Sequence, residues 1–257
     1  MTTEKTHFKI IIPMYQCQKW AERCLKSVLC QTYHNWQMVI CVEPCSDRTY
    51  SIVSKILDQN ADKRWVLIHN DVQKHVPLNH VLGIKESKPN NEDVIVCLDG
   101  DDRFFGTDVL SHLNSVYEDE NVWITWGSYV SEQCMNKVGL ASRPSTNENI
   151  YGPREWRYSH LKTFRYFLFK GIKEEDLKHS ATRKHYIVAG DMALMFPMVE
   201  MAGEEHSRYI DKVLYIYNNK NPLNDEKTYN TLCKQCNPEI RSKLHYQQRS
   251  KEELCSL

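Results

Sequence analysis

Short apolar runs alternate with segments of helical periodicity through the first 130 residues of the chain. Five of these runs have the composition of buried strands: FKIII, WQMVICV, RWVLIHN, DVIVCL and VWITWGSYV. The segments between them, such as WAERCLKSVLCQ, place apolar residues three and four positions apart, as amphipathic helices do. Because strands separated by helices pair in parallel, the alternation predicts an α/β fold with a mostly parallel, Rossmann-like sheet flanked by helices.

Composition narrows the classes of partner. Lys plus Arg equals Asp plus Glu at 33 each, so no basic field favours nucleic acid or a membrane surface. The start of the chain has no apolar run of signal-peptide length, and no apolar run elsewhere is long enough to span a bilayer. We therefore expect no integral membrane segment. Several of the ten cysteines, including Cys41 and Cys97, lie inside apolar runs. Thiols used in this way predict a reducing, cytoplasmic location.

The second half of the chain has a different organisation. Residues 131–155 are polar and rich in turn-forming residues, which predicts a long connection. An aromatic segment follows, then a helical segment at Met192–Ala202, a strand KVLYIYN and a polar helical tail. We therefore divide the chain into a main domain, residues 1–220, and a C-terminal tail, residues 221–257.

Candidate ligand-binding residues follow three of the predicted strands. Pro13 to Tyr15 come after the first strand, Glu43 after the second, and an acidic cluster that starts at Asp99 after the fourth. In open parallel sheets, ligands bind outside the carboxyl ends of the strands. The sequence therefore predicts that these three groups line one binding site.

The segment DGDD places three carboxylates, Asp99, Asp101 and Asp102, around Gly100. At ~4 Å spacing and an effective dielectric constant near 20, each like-charged pair costs roughly 4 kcal/mol, so we expect something to offset this cost. Such carboxylates suit Mg²⁺ or Mn²⁺, which proteins hold with one or two carboxylates plus substrate phosphates. The alternative interpretation is a solvated acidic turn before the next helix.

The order of these segments resembles the family-two glycosyltransferases, which have the GT-A fold. The similarity covers about residues 8–218 and is most specific in its last segment: IIIPMYQ, VEPCSDRT, HND, LNHVLGI and CLDGDD. It implies an inverting, metal-dependent enzyme that moves a sugar from a nucleoside-diphosphate sugar, with UDP favoured, to a hydroxyl group of a glycan or glycoprotein. It also implies that residues 1–130 bind the nucleotide sugar and that residues 131–220 bind the acceptor and carry catalysis.

The resemblance assigns roles to the donor-side residues. Pro13 and Tyr15 would contact the nucleotide, and Glu43 stands where an Asp normally receives the base. Asp99 and Gly100 would lie by the nucleotide sugar, with Asp101 there as well. Asp101 and Asp102 would hold the Mn²⁺ or Mg²⁺ that bridges the diphosphate. For Glu43, which is followed by Pro instead of the usual second Asp, the alternative is a capping acid near the second helix.

The same resemblance points to Asp191 as the general base. Family members carry an acidic residue about ninety positions after the acidic cluster, usually in a Glu-Asp pair, and this chain has Gly190 before Asp191. Direct displacement needs a carboxylate within hydrogen-bond reach of the acceptor hydroxyl. The alternative role of Asp191 is the N-cap of the helix that follows, and both roles are compatible.

Aromatic and basic residues form a candidate acceptor site at Trp156, Arg157 and His160. Aromatic faces pack on sugar rings, and Arg or His binds hydroxyls and phosphates. The alternative is that the Arg residues of this segment form a solvated face. The apolar residues of the same segment recur at helical spacing and are predicted to be core: Leu161, Phe164, Phe167 and Leu168.

Two further candidate metal sites lie late in the chain. His206 is a candidate for the extra metal ligand that some GT-A enzymes place late in the chain. Cys233 and Cys236 have the spacing of half a zinc site, but no second half with a recognised spacing follows, so free thiols are favoured.

Two other classes of protein remain open. One is a catalytically inactive GT-A module that binds a glycan or a partner, which the departures at Glu43-Pro44 and Gly190 allow. The other is a metal-dependent nucleotidyl or phosphoryl transferase, which also uses paired Asp residues. The second is disfavoured because the acidic cluster follows the fourth strand and no glycine-rich phosphate loop is present.

Overall fold

The computed structural model describes residues 4–139 and 154–257, and its first half follows the predicted alternation of strands and helices. Four parallel strands lie in the order β3-β2-β1-β4, and helices connect them. The predicted α/β class is therefore confirmed. The elements are β1 (Phe8–Met14), α1 (Ala21–Leu29), β2 (Trp36–Val42), α2 (Thr49–Gln59), β3 (Trp65–His69), α3 (His75–Glu86) and β4 (Val94–Cys97).

The second half extends the same sheet with strands of both directions. The full order is β3-β2-β1-β4-β8-β6-β9-β5, and β7 pairs with β6. Strand β8 runs antiparallel to both β4 and β6, whereas β6 and β9 are parallel. The elements are β5 (Arg103–Phe104), α4 (Val109–Tyr117), β6 (Ile124–Ser131), β7 (Cys134–Gly139), β8 (Lys162–Arg165), α5 (Tyr166–Lys170), a 3₁₀ turn (Glu174–Leu177), α6 (Gly190–Ala202), β9 (Ser207–Tyr217), α7 (Asp225–Thr228), α8 (Asn230–Ser242) and α9 (Lys251–Cys255).

Two apolar cores lie on opposite faces of the sheet. Successive side chains of a strand point to opposite faces, and β1 shows this directly: Ile10 and Ile12 belong to one core and Ile11 to the other. The strands are buried on both faces because helices cover each side. This explains why the central strands are continuous apolar runs in the sequence.

The four aromatic-segment residues predicted to be core are buried, but they do not form one helix. Phe164 lies on β8 and Leu161 directly precedes it, whereas Phe167 and Leu168 lie on α5. Strand β8 pairs along its whole length with β4, so sheet hydrogen bonds override the helical spacing. Most of the long connection predicted at residues 131–155 lies outside the described residues, and its first part forms β7.

The C-terminal helices pack onto the main sheet through α6. Cys236 and Ile240 of α8 are buried in the same core as α6, together with Tyr246 and Leu254. Both Cys233 and Cys236 are free thiols. Among the described residues, no helix has the length and apolar character needed to cross a bilayer.

Candidate active site

A cleft of about 540 Å³ opens where the strands β1, β2 and β4 end. The sequence predicted this edge of the sheet as the binding edge, and the predicted donor-side residues line the cleft together. The candidate base and two of the three candidate acceptor residues line it as well. The predicted residues in its wall are Pro13, Tyr15, Glu43, Asp99, Gly100, Asp101, Asp102, Trp156, His160 and Asp191.

The glycine of the acidic cluster is required by a close backbone approach. A Cβ atom at Gly100 would lie 2.7 Å from the carbonyl oxygen of Pro13 and 2.4 Å from Cγ of Met14. The Gly100 N–H donates to the same Pro13 oxygen at 3.0 Å. The acidic turn is thereby fastened to the end of β1, which places its carboxylates beside Pro13 and Tyr15.

Neutral donors surround two of the three carboxylates. The Tyr215 hydroxyl donates to Oδ2 of Asp102 at 2.6 Å, and the Asn218 backbone N–H donates to its Oδ1 at 2.6 Å. The Asn221 side-chain amide donates to Asp101 at 2.7 Å. Hydrogen bonds of this kind favour the charged form, but they do not supply a positive charge.

Burial and the repulsion between the carboxylates raise the pKa values of Asp101 and Asp102. Burial raises the pKa of Asp101 to about 6, and the Asp99 carboxylate also raises it. Burial likewise raises the pKa of Asp102 well above its usual value, with Asp101 and Asp99 as further causes. A cluster that resists ionisation in this way is suited to a divalent cation, because a cation would remove the repulsion.

His160 completes a group that could hold such a cation. One ligand atom each from Asp99, Asp102 and His160 lie within 4.8 Å of one another. The His160 ring stacks on Tyr215 at a centroid distance of 4.4 Å, and its buried Nδ1 has no hydrogen-bond partner among the described residues. Burial and the nearby Lys162 lower the pKa of His160 well below its usual value, so the ring is neutral and free to act as a ligand.

Asp191 lies in the first turn of α6 and faces a buried lysine. Its Oδ2 is 3.4 Å from Nζ of Lys162, which stands on β8. Burial would lower the pKa of Lys162, but Asp191 and Asp99 together hold it above its usual value, so the ammonium persists at neutral pH. The N-cap position of α6 is taken by Ala189, and the only backbone N–H of the described residues that donates to the Asp191 carboxylate is that of the next residue, Met192. The alternative of an N-cap role therefore does not describe Asp191.

Glu43 is buried at the end of β2 and is held by α3. Both of its carboxylate oxygens accept from the Lys74 backbone N–H, at 3.0 and 2.9 Å, and the Asn79 amide donates to one of them. Lys74 is the N-cap residue of α3, so Glu43 does cap a helix, but the third one and not the second. Its carboxylate still contributes to the cleft wall.

Two predicted site residues lie outside the cleft. Arg157 pairs with Glu155 at 2.5 Å and does not line it. His206 stacks on Trp123 at 3.6 Å, and its Nδ1 lies 2.8 Å from the Asn121 carbonyl oxygen. His206 precedes the first residue of β9, whereas Tyr215 near the other end of that strand contacts the acidic cluster. His206 bonds to Trp123 and Tyr215 lies opposite Tyr129, so at about 3.3 Å per residue roughly 20 Å of the sheet separates His206 from Tyr215. His206 does not line the cleft, and the prediction of a metal ligand at His206 is wrong.

The sequence patterns did not identify several residues that line the cleft. One group of them follows β9, in the polar segment up to Asp225 and on α8. The rule of strand carboxyl ends applies to this last strand as well, because β9 lies parallel to β6 inside the sheet, but the sequence does not show that pairing. The missed residues include Lys162, Tyr217, Asn221, Asn224, Asp225, Tyr229, Asn237 and Arg241.

Comparison with solved structures gives the fold. S. aureus TarS 1-349 in complex with UDP-GlcNAc has a TM-score of 0.63 at 14% identity, and the match covers 97% of this chain and 70% of that one. The mannosyltransferase PcManGT from Pyrobaculum calidifontis, in complex with GDP-Man and Mn²⁺, has a TM-score of 0.62 at 14% identity and covers 95% and 67%. These likenesses confirm the GT-A fold that the sequence predicts.

Comparison with curated proteins and families gives the membership. Over 135 residues the chain is 29% identical to the Escherichia coli UDP-Glc:alpha-D-GlcNAc-diphosphoundecaprenol beta-1,3-glucosyltransferase WfaP, covering 52% of this chain and 51% of WfaP. Over 98 residues it is 31% identical to the putative glycosyltransferase EpsE of Bacillus subtilis, covering 37% and 33%. The chain thus spans about half of WfaP and a third of EpsE. Residues 9–190 match the family described as Glycosyl transferase family 2, and the chain belongs to that family.

Proposed function

We propose that this protein is an inverting glycosyltransferase that moves a sugar from a nucleoside-diphosphate sugar to an acceptor hydroxyl. The observation that carries the proposal is the pair of acidic centres in one cleft. The cluster at Asp99 to Asp102 lies at the end of β4, and Asp191 lies at the start of α6. The first suits a cation with a diphosphate, and the second suits a proton acceptor, which are the two groups that such a transfer needs.

The donor site is proposed at the ends of β1 and β2, and the proposed donor is a UDP-sugar. WfaP is named for UDP-Glc, and TarS was solved with UDP-GlcNAc, whereas PcManGT was solved with GDP-Man. Pro13 and Tyr15 would border the nucleotide, with Glu43 at the base. Because Lys74 and Asn79 fix the Glu43 carboxylate, it offers the base an acceptor in one defined orientation.

The proposed cation site consists of Asp99, Asp102 and His160, and the proposed ion is Mn²⁺ or Mg²⁺. The unpartnered Nδ1 of His160 and the elevated pKa of Asp102 both fit a cation at this place. A divalent ion bound there would neutralise the diphosphate leaving group. The Asp101 carboxylate instead accepts a hydrogen bond from the Asn221 side-chain amide, so its proposed part is to keep the loop after β9 against the cluster.

Asp191 is proposed as the base of a single displacement. The acceptor oxygen forms a bond to the anomeric carbon while the bond from that carbon to the diphosphate oxygen breaks, and the electron pair leaves with the nucleoside diphosphate. The hydroxyl proton passes to the Asp191 carboxylate. The Lys162 ammonium lies 3.4 Å from the Asp191 carboxylate and would hold it in place for this step. One direct displacement inverts the configuration at the anomeric carbon.

The acceptor is proposed to be a sugar hydroxyl of a glycan or glycoprotein, bound beside Trp156. The Trp156 ring belongs to an aromatic group with Tyr158 and Phe196, which holds it at the cleft wall. WfaP is named for an acceptor sugar carried on diphosphoundecaprenol, so a sugar acceptor has a precedent among the relatives. On this view residues 1–130 bind the donor and residues 131–220 bind the acceptor.

A cytoplasmic location is proposed from the free thiols, which suit a reducing compartment.

The test is a screen of the purified protein against UDP-, GDP-, dTDP- and CMP-sugars with Mn²⁺ or Mg²⁺. We expect metal-dependent thermal stabilisation by one nucleotide and slow release of its sugar. Asp102→Asn should lose both, whereas Asp191→Asn should keep donor binding and lose transfer. The exposed Asp58→Asn on α2 is the matched control. Binding without any turnover would indicate an inactive binding module, and release of pyrophosphate instead of sugar would indicate nucleotidyl transfer.

A further inference from the structure

Asp225 stands in the wall of the cleft, in the segment that follows β9. It is the first residue of α7 and is partly buried. It lies 35 positions beyond residue 190, where the match to the family ends. Neither the resemblance nor the sequence motifs therefore give Asp225 a role.

Asp225 differs from the other carboxylates of the cleft because no hydrogen-bond donor of the described residues contacts its carboxylate. Four of the other five carboxylates that line the cleft have a donor group within 3.5 Å in the described part of the chain: Glu43, Asp101, Asp102 and Asp191. The fifth, Asp99, lies 3.5 Å from the Tyr215 hydroxyl that donates to Asp102. For Asp225, the described residues provide neither a hydrogen bond nor an ion pair to the carboxylate.

The surroundings of Asp225 make this lack unfavourable. Its charged neighbours are themselves acidic, and burial together with Asp99, Asp191 and Asp101 raises its pKa to about 7. A partly buried carboxylate that faces like charges without a donor destabilises the fold. Such groups concentrate at functional sites, where a ligand supplies the missing partner.

The position of Asp225 indicates which part of a ligand would supply the missing hydrogen-bond donor. A carboxylate repels a diphosphate and offers no charge complement to an acceptor phosphate. It does accept hydrogen bonds from sugar hydroxyls, and two oxygens allow it to take two of them. Asp225 is influenced by Asp99 on the donor side and by Asp191, the proposed base, and the transferred sugar has to lie between those two groups.

We propose that Asp225 is a specificity-determining residue that accepts hydrogen bonds from the hydroxyls of the donor sugar. The inference rests on the proposed function, because it assumes that a nucleotide sugar binds in this cleft. A pocket whose carboxylate is satisfied only by sugar hydroxyls rejects a sugar that lacks them, since the carboxylate is then left unpaired.

The experiment compares the binding of a nucleotide sugar with that of its nucleoside diphosphate. Calorimetry would give both dissociation constants, in the presence of Mn²⁺, for the wild type, Asp225→Asn and the control Asp58→Asn. The UDP probe pair is UDP-glucose with UDP, and GDP-mannose with GDP is the second pair. We expect Asp225→Asn to weaken the sugar nucleotide roughly tenfold or more while the diphosphate changes less than twofold.

A second measurement varies the ligand and begins with the wild type. Deoxy analogues of the sugar nucleotide that binds should each be tested on the wild type, and at least one should lose roughly tenfold in affinity. That loss should disappear in Asp225→Asn, which a purely structural role would not produce. An unchanged ratio of sugar-nucleotide to diphosphate affinity would overturn the inference, as would an effect confined to the KM of the acceptor. Absence of nucleotide binding to the wild type would instead contradict the proposed function itself.

Discussion

Pro77 fills the space in which a side chain at position 190 would lie. A Cβ atom on Gly190 would be 2.4 Å from Cβ and 2.8 Å from Cα of Pro77, and both residues line the cleft. Pro77 belongs to the first turn of α3, so the contact joins α3 to the start of α6. The Glu that the family resemblance leads one to expect before the proposed base has no room here, because the neighbouring helix occupies its place. The contact therefore fixes the entry of α6 and the position of Asp191.

Gly190→Ala should test this contact. We expect the free energy of unfolding to fall by about 1–3 kcal/mol, because the backbone atoms of Pro77 cannot move aside without shifting α3. Transfer should fall further than stability explains, since α6 would be displaced together with Asp191. Urea denaturation and initial rates give the two quantities. Full stability in Gly190→Ala would show that α3 yields easily and that the contact does not position the base.

Tyr215→Phe should weaken the cation site while leaving the sheet intact. The hydroxyl donates to Asp102 at 2.6 Å and accepts from the Asp99 N–H at 3.2 Å, so its removal frees both acidic residues. We expect Mn²⁺ affinity to fall roughly tenfold to a hundredfold. Calorimetry, or the electron paramagnetic resonance signal of free Mn²⁺, would measure this change.

Tyr209→Phe provides the control for Tyr215→Phe. Tyr209 lies on the same strand, and its hydroxyl is 2.6 Å from that of Ser128. The control should lose a comparable hydrogen bond without an effect on Mn²⁺. Equal Mn²⁺ affinity in the two variants would contradict the part assigned to the Tyr215 hydroxyl.

The sequence predicted one side of the cleft well and the other side poorly, and the reason is topological. Pro13, Glu43 and Asp99 follow consecutive parallel strands, so a local pattern and one rule place them together. The partners of the cluster are Tyr215 on β9 and Asn218 directly after it. Strand β9 runs in the direction of β4 because β8 reverses direction between β4 and β6. Strand order of that kind is set by long-range pairing and leaves no periodic trace in the sequence.

Asp225 should make stability depend on pH. Because its pKa in the folded protein is raised to about 7, the folded state binds a proton that the unfolded chain has released. The resulting stabilisation is complete below about pH 4 and is lost as the pH rises through about 7. Asp225→Asn has no such proton, so relative to the wild type it should gain roughly 1–3 kcal/mol between pH 5 and pH 8. Urea denaturation at both values measures the difference, and parallel pH profiles of variant and wild type would contradict the assignment.

The buried pair of Arg154 and Glu200 should dominate the attachment of the C-terminal segment. The guanidinium donates to both carboxylate oxygens at 2.7 and 2.8 Å, and it also donates to the Ile240 carbonyl oxygen of α8 at 2.8 Å. The two side chains are 3% and 2% exposed. Arg154→Met would leave the Glu200 charge buried without its main partner, and we expect a loss of about 3–5 kcal/mol.

Arg208→Met is the matched control for that substitution. Arg208 pairs with Asp119 at 3.0 Å, but their side chains are 48% and 40% exposed, so solvent screens the pair and its loss should cost less than about 1 kcal/mol. Limited proteolysis alongside denaturation would show whether Arg154→Met releases the segment from residue 236 onward before the sheet unfolds. Because α8 carries part of the cleft wall, its release should also reduce transfer. Equal stability losses in the two variants would mean that apolar packing of Cys236 and Ile240, and not the buried ion pair, holds α8 in place.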